Sequence, residues 1–188
     1  FPYTTLFRSA LLVLGQAQAL DQRHFQGGGN EILGTDLQDM TLEAATNALQ
    51  RLYPQFHIAD HAGWPKVYEK AQKGAPDALK SVGDDGEPAK NPVCKAILAF
   101  IAGGKKGIDI RKHFEGATYG WSGDAVDGGL QVLLVAGLIR AQDEKGQTID
   151  PKDLERKVIG KTMFKVESAT VSAAQRIQIR KVLQKVGL

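Results

Sequence analysis

The sequence predicts a mainly α protein with a small β component, and three observations carry that prediction. Apolar residues recur at helical spacing in several separate windows. Ser, Asp or Pro stands where several of those windows begin, and Gly or Pro where they stop. Strand-like pieces are short, and IRAQ, QTID and KTMFKVE lie beside turn residues. With 188 residues the chain can bury a real core, as one domain or two small ones.

Phe1–Ser9, FPYTTLFRS, back-translates to a string that resembles the end of a short-read sequencing adapter, so residues 1–9 are set aside from the fold reading. The following ALLVLG and AQA imitate a secretory signal. Other apolar runs, such as VLLVAGLI (132–139), are far shorter than the roughly 20 residues that span a bilayer. A single cysteine, Cys94, allows no internal disulfide. A soluble, cytoplasmic chain with no membrane partner is the expectation.

Residues 10–82 read as a mainly helical region with a short hairpin. A helix at 10–23 is followed by RHFQGGGNEIL, whose glycines separate extended pieces. Between Thr35 and Pro54, Leu37, Met40, Ala44, Ala48, Leu49 and Leu52 keep helical spacing. The loop HIADHAGWP leads to short helices in VYEKAQ and PDALKSV. GDDGEPAKNP has glycines, prolines and acids without periodicity, and residues 83–91 are read as a linker.

Residues 92–167 change character. Pro92 opens a helix with Val93, Ile97, Phe100 and Ile101 on one stripe, and a short helix, IDIRKHFEG, follows. In a third helix, SGDAVDGGLQVLLVAG, Ser122 or Asp124 caps, and Val126, Leu130, Leu133 and Leu134 face a core, with Ile139 beyond. IRAQ and QTID form a ribbon around Lys145 and Gly146. Three helices followed by a β-ribbon predict a winged-helix-like domain. Residues 168–188 are a basic C-terminal helix with a Ser172–Gln175 capping box and Ile179, Val182, Leu183 and Val186 as its apolar face.

The formal net charge of +3 is too mild to imply nucleic acid by itself, but it is uneven: residues 151–188 hold nine Lys and Arg against three acids. Within the terminal helix, Arg176 with Arg180 and Lys181 with Lys185 are like charges at i, i+4, a costly spacing that needs another reason.

Motifs for chemistry fail on inspection. ERKVIGKT (155–162) ends like a phosphate-binding loop, but Glu155 stands where such a loop requires glycine. His57 and His61 are four apart without the glutamate of a zinc-protease motif or a third ligand at fixed spacing, so a polar loop closed by Trp64 is expected. His24 and His113 stand alone, Cys94 reads as a buried structural thiol, and Asp84 and Asp85 fall in the linker. YGW (119–121) reads as a turn packed on the core, with base stacking as the alternative. No catalytic residue, cofactor-binding residue or metal ligand is assigned.

RLYPQF (51–56), ADHAGW (59–64), KKGIDIRKHFEGATYGWSGDAVDGGL (105–130) and FKVESATVSAAQRIQIRK (164–181) together resemble the C-terminal region of the large P-loop ATPase of BREX (bacteriophage exclusion) phage-defence systems. The likeness covers most of residues 40–188. It implies an antiviral defence protein whose ATP- and Mg-dependent ATPase domain lies upstream of this fragment, with other defence proteins as partners, and it carries no ATP-binding residue onto this chain. Two roles follow for the fragment: a non-catalytic protein-interaction or scaffolding module, or a winged-helix module making non-specific phosphate contacts to DNA. For the second, the third helix is read as offering Asp124, Asp127 and Gln131 outward, which opposes phosphate. The candidate nucleic-acid contacts are instead Lys105, Lys106, Arg111, Lys112, Arg176, Arg180 and Lys181.

Overall fold

The computed structural model describes residues 36–167 and 173–185. The expected helix at 10–23, the hairpin around the triple glycine, the Ser172 cap and Val186 lie outside the described residues. Those described are mainly helical with one four-stranded antiparallel sheet, in keeping with the predicted class.

The chain divides into two units, residues 1–56 and 57–188. In the first, helix α1 spans Leu37–Leu52, the window chosen by periodicity. Asp36 caps it by accepting a hydrogen bond from the Asp39 amide at 2.9 Å.

The second unit begins earlier than the sequence suggests. Helix α2 (Trp64–Gln72) starts at Trp64, whose indole N–H donates to the Ala59 carbonyl at 3.0 Å, and buries Trp64, Val67, Tyr68 and Ala71. Trp64 thus closes the histidine loop, as expected, and His61 Nδ1 accepts from the Gly63 amide. A 3₁₀ turn at Ala78–Val82 follows in place of the second short α-helix.

Helix α3 (Pro92–Ile101) is capped by Asn91, which accepts from the Cys94 amide at 3.1 Å and donates to Asp84 at 2.6 Å. Residues 83–91 are therefore bound into the unit rather than linking two domains. A single core cluster joins Trp64, Val67, Tyr68 and Leu79 from before that stretch to Val93, Ile97, Leu130 and Phe164 after it. The domain boundary read at 83–91 is thus displaced to residue 56, because the α2 side chains find their burial on a helix more than fifty positions downstream.

That helix is α5 (Gly123–Val135), capped by Ser122, which accepts from the Ala125 amide. Every side chain from Ala125 to Leu134 is buried. A Cβ at Gly128 would meet the Trp64 ring at 3.1 Å, and one at Gly129 would meet Ile97 Cδ1 at 2.6 Å. The two glycines cost helix propensity, about 1 kcal/mol each, but let α2 and α3 approach α5 from two sides.

Between α3 and α5 lie the two-residue strand β1 (Lys105–Lys106) and helix α4 (Gly107–Glu115). After α5 come β2 (Ile139–Gln142), β3 (Thr148–Ile149), the short helix α6 (Arg156–Ile159) and β4 (Met163–Val166). The sheet order is β1-β4-β2-β3, with Ala141 opposite Phe164 and Lys105 opposite the same Phe164 from the other side. Ala141 and Phe164 turn inward onto α3 and α5, closing the core. The turn between β2 and β3 carries Gly146 at φ 80°, matching the ribbon read in the sequence. Helix α7 spans Ala173–Lys185.

Candidate functional site

The predicted contact residues separate into three groups. Lys105 and Lys106 are exposed on β1, at the edge of the sheet, and Lys112 is exposed on the outer face of α4. Lys181 is exposed on α7, whereas the side chains of Arg176 and Arg180 lie outside the described residues. Arg111 points the other way. Its guanidinium grips Asp127 through two hydrogen bonds of 2.8 Å and donates to the Arg156 carbonyl at 3.1 Å.

This arginine belongs to a polar clamp rather than to the charged surface. Asp127 is almost fully buried, and burial pushes its carboxyl above the ordinary value although the paired Arg111 pulls the other way. Asp124 pairs with Arg156, and the Arg156 guanidinium lies 4.4 Å from the centroid of the Tyr68 ring. The Tyr68 hydroxyl donates to the Leu154 carbonyl at 2.8 Å, and Gln131 donates to the Pro151 carbonyl. Together these contacts pin residues 150–160 across α2 and α5.

The outward placement of Asp127 and Gln131 is therefore corrected: both are buried, Gln131 completely. Asp127 and Gln131 do share one side of the helix, but α5 sits at the centre of the unit and the inserted segment covers that side. Asp124 is half-exposed and paired.

ERKVIGKT forms a docking turn. The amides of Val158, Lys161 and Thr162 donate to carbonyls of Glu155 and Val158 within the turn, and the Thr162 hydroxyl donates to Val158. Its outgoing carbonyls cap α4, with the Gly107 amide on Thr162 at 2.9 Å and the Ile108 amide on Gly160 at 3.0 Å. Amides turned inward in this way do not form the cradle a phosphate needs.

Sequence reasoning treated His113 as isolated, and it is not. Its ring lies parallel to that of Phe100, centroids 3.9 Å apart and planes 8° from coplanar, and tilts against Tyr119 at 5.3 Å. The column continues inward through Phe114 to Trp121, stacked at 4.8 Å and 7°. It continues outward to Lys105, whose ammonium lies 5.4 Å from the Phe100 centroid. Phe100 is half-buried and His113 exposed, so the outer end of the column meets solvent. Thr118 (φ 81°) and Gly120 (φ 62°) bend the loop that delivers Tyr119 and Trp121, a conformation that favours glycine and strains a β-branched residue. YGW is core at Trp121, which is 2% exposed, as the sequence reading held. Nothing in local spacing signals the pairing of Phe100 with His113, since they come from different helices.

Cys94 is fully buried and its thiol is pushed up to about 12 by burial, consistent with a structural role. Among the described residues no cluster of three His, Cys, Asp or Glu could hold a metal, and no helix is long and apolar enough to cross a membrane.

No family model matches this chain, and no curated protein or solved structure matches it either.

Proposed function

We propose that the chain is a non-catalytic part of a BREX-type phage-defence P-loop ATPase and serves as a protein-interaction or scaffolding module. The observation that carries the modular role is the unbroken burial of α5 from Ala125 to Leu134. In a winged-helix domain the third helix is the one that enters the DNA major groove. Here that helix supports its neighbours and leaves no face for base edges. The connectivity α3–β1–α4–α5–β2–β4, with β3 and α6 inserted between the last two strands, supports reading the fold as a winged-helix variant.

Exposed apolar side chains offer contact surface instead. Ile108 on α4 is 59% exposed, and Ile179, Val182 and Leu183 line one side of α7. The assignment to a defence ATPase rests on the quoted sequence segments, and its ATP and Mg would belong to the upstream domain.

Two measurements test the reading. Sequencing the locus upstream should reveal a phosphate-loop motif in frame; an unrelated enzyme domain there would refute the family assignment. Ile108→Glu should weaken co-elution with purified proteins encoded by the same defence locus by at least tenfold without lowering the melting temperature. Unchanged association of both Ile108→Glu and a Val182→Glu variant would refute the interaction role.

A second reading, non-specific phosphate contact, is favoured by the exposed Lys105, Lys106 and Lys112. It calls for weak DNA binding that falls with salt for every sequence tested.

A further inference from the structure

We infer that α3, β1 and α4 together form a binding site for single-stranded nucleic acid, in which a base stacks on His113 while Lys105, Lys106 and Lys112 hold the neighbouring phosphates. This is independent of the interaction role and deepens the phosphate-contact reading, on whose three lysines it rests.

The stacking surface is built in advance. His113 is exposed, yet Phe100 lies flat beneath it at 3.9 Å and Phe114 meets its edge at 4.8 Å. Phe114 is fully buried and stacks on Trp121, so the ring column is anchored in the core and loses little freedom when a ligand arrives. Every base offers a π-face, and aromatic stacking contributes about 1–3 kcal/mol per base.

One charge lies against the ring column, and two more are exposed next to it in sequence. Lys105 reaches over the Phe100 ring, Lys106 follows it on the sheet edge, and Lys112 precedes His113 on α4. Asp109 and Glu115 are also exposed on α4 and temper the field. Such an arrangement suits a ligand that is both anionic and planar. An acidic peptide would satisfy the lysines but leave the ring column unused. A duplex would offer phosphates but keep its bases stacked on one another, out of reach of His113.

The test uses the full chain and labelled oligonucleotides of about twelve residues, single-stranded and duplex, followed by fluorescence anisotropy at low and physiological salt. The single strand should bind more tightly than the duplex. His113→Ala should weaken binding on the order of 5- to 100-fold, whereas His113→Phe should retain it, and the His113 ring protons should shift upfield on titration with the unlabelled strand. Lys105→Ala with Lys106→Ala should lower the salt slope by about 1.4, at about 0.7 per phosphate contact. Melting curves confirm that each variant is folded. Tighter binding to duplex, full affinity in a folded His113→Ala variant, or no binding at low salt would each overturn the proposal.

Discussion

Asp127 shows how a residue can be placed correctly on a helix and still be assigned to the wrong environment. Its position four residues before Gln131 put both on the polar side of α5, but that side is covered, and Arg111 meets Asp127 there with two hydrogen bonds. Burial raises the carboxyl, so the folded chain holds this proton to higher pH than the unfolded chain does. The contribution to stability is therefore greatest below the unfolded carboxylate range and declines as pH rises through the folded value. Arg111→Met removes the charge that opposes this rise. It should cost about 3 kcal/mol in urea unfolding at pH 7, and less at pH 5, where the stranded carboxyl takes up a proton. An equal loss at both pH values would show that Asp127 does not titrate in that interval. Trp121 was the more legible residue, because a tryptophan beside a turn glycine rarely finds better use than the core. Trp121→Ala should destabilise by about 3–5 kcal/mol, and a variant of native stability would overturn its core role.

At the scale of elements, caps and periodicity located the helices well. Ser122 accepts the amide hydrogen bond that its position suggested, Asp36 and Asn91 cap two further helices that the sequence reading left without a cap, and α3 and α5 fall within the expected windows with α4 one residue early. What sequence could not supply was the reason for Gly128–Gly129 inside a helix. That reason is the close approach of Trp64 on one side and Ile97 on the other. Gly129→Ala gains helix propensity but presses on Ile97 Cδ1, and a net loss of about 1 kcal/mol is expected. Ile97→Val removes that methyl and alone costs about 1 kcal/mol. The double variant should lose clearly less than the two separate losses together; strict additivity would mean that the α3–α5 contact is not the cause. The ERKVIGKT segment has a structural role at this scale too, since the amides of Val158, Lys161 and Thr162 close a turn whose carbonyls cap α4.

For the whole molecule, the decisive difference is where the compact unit starts. A chain beginning at His57 should unfold in one cooperative transition with nearly the melting temperature of the full chain, measured by circular dichroism. A chain beginning at Pro92, the boundary that the glycines, prolines and acids of 83–91 suggested, should fail to fold, because it strips Trp64, Val67 and Tyr68 from α5. A stable fold from Pro92 onward would restore the linker reading. By itself the sequence determined the longer helix windows, the short strands, the Ser122 cap and the burial of Trp121, because each follows from residues within a turn or two of one another. Only the tertiary structure decided that Arg111 faces Asp127, that Tyr68 reaches Leu154 across 86 positions, and that His113 stacks on Phe100. Those pairings depend on which helix covers which face, and local periodicity fixes a face without naming its neighbour.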